Sequence, residues 1–102
     1  MNAPTTVNLA IQFLPLRHSQ ETAYTIIDAA IQVVKQSGLP YTVGPFETTI
    51  EGSYEQVMNL LEQMQLAARN AGAEELLINM KLHRNFSHDL HITDKTGKYL
   101  SA

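Results

Sequence analysis

The order in which the apolar residues change period constrains this chain more than any other feature. Val7, Leu9, Ile11 and Phe13 alternate with Asn8, Ala10 and Gln12. A period of two reads as a half-buried strand. Pro15 cannot donate to a ladder and is expected to end it. Further on the spacing turns helical. Ala23, Ile26, Ile27, Ala30, Ile31 and Val34 fall on one face, with Asp28, Gln32 and Lys35 opposite. Ser19 is placed to cap the first turn, and Gly38 follows the last one, where a left-handed residue commonly closes a helix. The first helix is therefore predicted over about residues 20–37.

Alternation then returns. Tyr41 and Val43 follow Pro40, and Phe46, Thr48 and Ile50 alternate with Glu47, Thr49 and Glu51. Gly44-Pro45 between them is turn chemistry, so this is a hairpin, stopped by Gly52. Ser53 and Gln56 have the spacing of a capping box. Behind them Val57, Leu60, Leu61, Met64, Ala68 and Ala71 form a second helical stripe, with Gly72 past its end. In the last strand Leu76, Ile78, Met80 and Leu82 alternate with Leu77, Asn79, Lys81 and His83.

Strand, helix, strand, strand, helix, strand is the split βαβ arrangement. It predicts an α+β, ferredoxin-like βαββαβ sandwich: a four-stranded antiparallel sheet with two helices on one face. Strands one and three are expected side by side at the centre, running parallel, with their C-terminal ends at the edge where both helices start. Residues 1–84 make this domain. Residues 85–102 read as a polar tail, anchored by Phe86, Leu90, Ile92 and Tyr99, that docks on the domain or on a neighbouring subunit. The open sheet face would carry Asn8, Ala10, Gln12 and Leu14 beside Leu77, Asn79, Lys81 and His83. A domain this small gains by burying a second face, so self-association there is expected, as a dimer or tetramer.

Charge and composition exclude several functions. With 7 Lys+Arg against 10 Asp+Glu, a net charge of −3 lacks the basic cluster that a nucleic-acid binder needs. An RNA reading would also want aromatics on the open face of the central strands, and none stands there. Without cysteine there is no disulfide, thiol nucleophile or thiolate metal site. No apolar run approaches the ~18–20 residues that span a bilayer, and Met1 to Thr6 has no secretory pattern. A cytoplasmic protein with no membrane partner is expected.

Candidate chemistry is sparse. His83, His88 and His91 lie near Asp89 and Asp94, donors that suit zinc or nickel, but the spacing matches no closed zinc pattern, and surface histidines are the simpler account. Arg17, His18 and Ser19 precede a helix N-terminus, where an acylphosphatase of this topology would hold phosphate. This loop lacks the glycines that let amides wrap an anion. No serine sits in a nucleophile elbow, and Glu47 with Glu51 and Glu74 with Glu75 read as solvated pairs. No catalytic residue and no metal ligand is assigned. Thr48 stands out, because it lies between Phe46 and Ile50 on the face that should meet the helices. A buried hydroxyl needs a partner. Either a nearby carbonyl supplies it, or Thr48 faces a small pocket between sheet and helices. In the second case Thr22, in the first turn of helix one, could face the same space and Phe46 could stack on a planar ring.

Ser37-Gly38-Leu39, Tyr41, Gly44-Pro45, Thr48 and Ile50-Glu51-Gly52 resemble the signature of the small thiamine-binding family related to YkoF. The likeness is dense over residues 37–52 and looser from Pro15-Leu16 to Lys81. It implies a ferredoxin-like fold and assembly into dimers or tetramers. It also implies non-enzymatic binding of thiamine or its hydroxymethylpyrimidine part as a ligand, with no cofactor. Thr22 stands where that family usually has a small hydroxyl residue. Glu47 replaces a small residue, Thr49 an aliphatic one, and His83-Arg84-Asn85 departs from the expected run. The candidate ligand-binding set is Thr48, Thr22, Phe46 and Ser19.

Overall fold

The computed structural model describes residues 5–100. Residues 1–4, within the segment read for a secretory signal, and the last two of the tail lie outside the described residues. Capping residues set the helix starts. Ser19 is extended (φ −63°, ψ 161°) and its Oγ accepts from the Thr22 N–H at 3.2 Å, which opens α1 (Gln20–Gln36). Gly38 follows at φ +81°, a conformation that favours glycine. At α2 (Tyr54–Asn70) both bonds of the capping box form: Ser53 Oγ accepts from the Gln56 N–H at 3.1 Å, and Gln56 Oε1 from the Ser53 N–H at 2.9 Å.

The strands are β1 (Thr6–Leu16), β2 (Tyr41–Val43), β3 (Thr48–Ser53) and β4 (Glu75–His83), in the order β2-β3-β1-β4. With α1 and α2 they form the expected ferredoxin-like sandwich. β1 and β3 are central neighbours, but they run antiparallel, from Thr6↔Ser53 to Ile11↔Thr48, and the parallel expectation is corrected. The α1 crossover makes β1 and β2 co-directional, the hairpin then reverses β3, and β3 inserts between them. The helices therefore start at opposite edges of the sheet. At the edge where β1 ends lie the start of α1, the 44–47 loop and the end of α2.

β1 also runs on through Pro15, pairing with β4 from Asn8↔His83 to Leu16↔Glu75. Its pairing with β3 stops at Ile11, so at Pro15 one side of the strand is a free edge, where proline is tolerated.

The core lies between sheet and helices. β1 contributes Val7, Leu9, Ile11 and Phe13, β3 Ile50, α1 Ile26, Ala30 and Val34, and α2 Val57, Leu60, Leu61, Met64 and Ala68. Each large side chain buried here stabilises by about 1.5–3 kcal/mol. Ala71, read as part of the stripe, is exposed at the C-cap of α2. The helices cover β1 and β3 better than β4, which leaves Met80 and Leu82 about half exposed.

A third helix, α3 (Ile92–Leu100), forms in the segment read as a tail, and polar bonds tie that segment to the open face. The Leu90 N–H donates to Thr6 O at 3.0 Å, and the Thr6 N–H to Asp89 Oδ1 at 2.7 Å. Asn8, buried although it points away from the helices, donates to Leu90 O and accepts from Lys95 Nζ. Glu51 accepts from the Ile92 N–H at 2.7 Å and bonds the His91 ring at 3.0 Å. The bond to Glu51, helped by the charges of Glu51, Asp94 and Asp89, raises the His91 pKa above its ordinary 6.5. Partial desolvation opposes the rise.

Candidate functional site

At the edge where β1 ends, a cavity of about 130 Å³ opens between α1 and the hairpin tip. Ile11 and Phe13 of β1 form its floor, Tyr24 and Ile27 its helix wall, and Phe46, Glu47 and Thr48 the opposite side. The tip has a defined shape because it is a four-residue turn, closed by the Gly44 N–H donating to Glu47 O at 2.9 Å. Tyr24 is held by Gln20, whose Nε2 donates to its hydroxyl at 3.0 Å.

The four candidate side chains do not converge. Thr48 is 5% exposed and lines the cavity. Phe46 lines it too, but from the loop. It is not on the buried sheet face and is 79% exposed, because the strand resumes only at Thr48. Thr22 and Ser19 are exposed and are not among the lining residues. Ser19 Oγ accepts from the Thr22 N–H and donates to Thr22 Oγ1 at 3.0 Å, so both serve the helix cap. Tyr24 is the wall residue missing from the sequence reading. It stands one turn before Ile27 on the same helix face, and that spacing was the available signal.

Phe46 and Glu47 have a second role. Behind them lies a second cleft of about 410 Å³, lined also by Gln12, Asn79, Met80 and Lys81. Gln12 Oε1 accepts from Asn79 Nδ2 at 3.2 Å. Lys81 Nζ lies 3.6 Å from Glu47 Oε1 in an exposed pair.

Other candidate groups are engaged elsewhere. Arg17 Nε pairs with Glu75 Oε1 at 3.1 Å. Among the described residues no three His, Cys, Asp or Glu side chains come together as a metal site. The depression between the end of α2 and the start of β4 is lined mainly by Glu62, Gln65, Arg69, Glu74 and Glu75 and has no aromatic wall. Among the described residues no helix is long and apolar enough to cross a membrane.

Comparison with known proteins gives concordant matches. A family model described as thiamine-binding protein matches residues 9–100. The UPF0045 protein CPE1503 of Clostridium perfringens is 27% identical over 94 residues, covering 92% of this chain and 97% of that protein. The structure of a domain of unknown function, DUF77, from Bacillus cereus superposes with a TM-score of 0.84 at 34% identity, over 94% of this chain and 91% of that one. A candidate thiamine biosynthesis/salvage protein from Thermotoga maritima gives a TM-score of 0.83 at 24% identity, over 92% and 98% of the two chains. This last likeness speaks to the fold alone.

Proposed function

The chain belongs to the thiamine-binding protein family, and on that premise we propose that it holds thiamine or free hydroxymethylpyrimidine, with the flat aminopyrimidine ring in the cavity between α1 and the 44–47 loop. The observation that carries this reading is the fit of one cavity to one ring. A site of about 150 Å³ takes a benzene-sized molecule, and this one measures about 130 Å³. Its walls are mostly apolar, with Phe13, Tyr24 and Phe46 as aromatic surfaces. The hydroxyl of Thr48, a residue that lines the cavity, can both donate and accept, which suits ring nitrogens and an exocyclic amine. Glu47 at the mouth does not repel a cationic thiazolium.

Binding is the whole activity in this reading, with no bond made or broken. The protein acts in the cytoplasm as a homo-oligomer, a dimer or tetramer. The interface is the part of the open sheet face that α3 leaves uncovered, around Ala10, Leu14 and Leu77. Calorimetric titration with thiamine and with hydroxymethylpyrimidine tests the ligand. Saturable binding near one per chain or per dimer is expected. A well-folded protein that gives no heat with either compound refutes it. The rival, an oligomeric structural or regulatory subunit without a ligand, rests on the same exposed Leu77 and predicts that null result with the oligomer intact.

A further inference from the structure

We infer that the outer edge of β2 pairs with the same edge of a second copy of this chain, antiparallel about a two-fold axis at Thr42. Two four-stranded sheets then become one continuous sheet. This surface lies apart from the open-face contact around Ala10, Leu14 and Leu77, and the inference does not rest on the ring-cavity reading.

Hydrogen-bond parity fixes which backbone groups are free. The Glu51 N–H donates to Pro40 O at 3.0 Å, and the Gly44 N–H to Glu47 O at 2.9 Å. Bonded residues alternate along an antiparallel ladder, so Pro40, Thr42 and Gly44 turn their peptide groups towards β3. Tyr41 and Val43 turn theirs outward, and none of the described residues bonds them. Each offers one N–H and one C=O, a template for a further strand. The common defences of such an edge are missing. No charged residue stands between Gly38 and Phe46. Pro40 does not block the edge, because the N–H it lacks would have faced β3, and Pro45 lies in the turn.

The edge fits itself. Tyr41 set opposite Val43 of the second copy exchanges two N–H···O bonds, and the symmetric pair exchanges two more. Every outward donor and acceptor of the three-residue strand is then used once. A longer strand from another protein would overrun it at both ends. Side chains agree with this register. Tyr41 pairs with Ile50 and Val43 with Thr48, both buried against the helices, so Tyr41 and Val43 share that face, where they are 40% and 45% exposed. Across the axis each tyrosine lies beside a valine, an aromatic and β-branched pair of the favourable kind. Thr42, on the other face, meets Thr42 of the second copy, and no like charges are brought together. The contact is short, and the open-face contact can reinforce it. The edge axis stands perpendicular to the sheet and an axis between stacked sheets lies parallel to it; two-folds at right angles close a tetramer.

The test uses a cysteine at the axis. The chain has none of its own, so Thr42→Cys carries one thiol per copy. Directly opposed residues of a non-bonded antiparallel pair have Cα atoms about 4.5 Å apart, within the range of about 4.4–6.8 Å that a disulfide spans. Dilute full-length Thr42→Cys treated with diamide is expected to run almost wholly as a covalent dimer on a non-reducing gel. Gln63→Cys, at an exposed position on α2, is expected to stay largely monomeric there. Val43→Pro removes one outward N–H per copy, two of the four bonds, at an edge position that tolerates proline. Sedimentation should find the wild type as an oligomer and Val43→Pro, checked for folding by circular dichroism, at half its mass. If Val43→Pro does not fold, the disulfide decides alone. A wild type that sediments as a monomer overturns the inference. So does a folded Val43→Pro of unchanged mass, or a Thr42→Cys that cross-links no faster than the Gln63→Cys control. None of these results touches the ring cavity, which the calorimetric titration tests separately.

Discussion

Replacing Thr48 by valine separates the ligand from the fold. The two side chains have nearly the same shape, and both are β-branched, so both suit a strand. The backbone of residue 48 sits between Ile11 of β1 and Val43 of β2, and neither pairing involves the side chain. Thr48 as a residue is 5% exposed and its hydroxyl makes no hydrogen bond to the described residues, so its removal is expected to leave stability within about 0.5 kcal/mol or raise it slightly. In the complex, the same hydroxyl contributes one hydrogen bond to the ring, a net of about 0.5–1.5 kcal/mol. At 1.4 kcal/mol per decade, this weakens binding by about two- to twelvefold. The assay is calorimetry with thiamine on Thr48→Val and wild type, paired with urea denaturation of both. Unchanged affinity in a stably folded variant would refute the reasoning, because the one buried polar group of the cavity wall would then not touch the ligand. A large loss of stability would refute it differently, by showing that the hydroxyl already serves the fold.

Other outcomes follow from the same geometry. Phe46→Ala should leave stability within about 0.5 kcal/mol, because the ring is mostly exposed, yet lose about 0.5–1.5 kcal/mol of stacking with the ligand; calorimetry beside a thermal melt checks both halves. Leu60→Ala empties a site that is 3% exposed and should cost about 2–5 kcal/mol, read from the urea midpoint at unchanged slope. The pKa of His91 is raised in the folded protein, so its contribution to docking α3 is complete below pH 6.5 and fades as pH rises through the raised value. An NMR titration should place His91 above 6.5 in the wild type and nearer the ordinary value in Glu51→Gln, while amide exchange in residues 92–100 speeds up across the same range. A His91 titration that ignores the Glu51 substitution would contradict this.

The sequence carried both helices, their caps and the inward face of the sheet, because each rests on short-range spacing: hydroxyls three residues before an amide, apolar groups at period two or 3.6. The features that escaped depend on longer range. Pro15 looks like a strand end until one knows that β3 stops pairing at Ile11 and leaves an edge there. Phe46 continues the alternation of Thr48 and Ile50 and so reads as strand, although the turn closes only at Glu47. The relative direction of β1 and β3 follows from inserting a reversed strand, which no local pattern encodes. α3 was hidden because its stripe is short and interrupted by Gly97, and because its partners, Asn8 and Glu51, lie far back in the chain. Of the site, Thr48 and Phe46 were legible as wall residues. Thr22 and Ser19 serve the cap of α1 and do not line that cavity, and a hydroxyl that caps a helix looks the same in sequence as one that faces a cavity.

The central place of β1 also bears on how the protein is made. Of the four strands of this sheet β1 is synthesised first, it is flanked on both sides as β3 is, and its partner β4 is the last of the four to appear. Leu9 waits for Leu82, about 70 residues downstream, which at ~5–20 residues per second on the ribosome is a delay of roughly 4–14 s. Throughout that interval Val7, Leu9, Ile11 and Phe13 form an apolar ribbon with at least one unpaired edge. Nascent chains halted before residue 75 should therefore recruit chaperones and be cut readily by protease, and chains released beyond residue 83 should not.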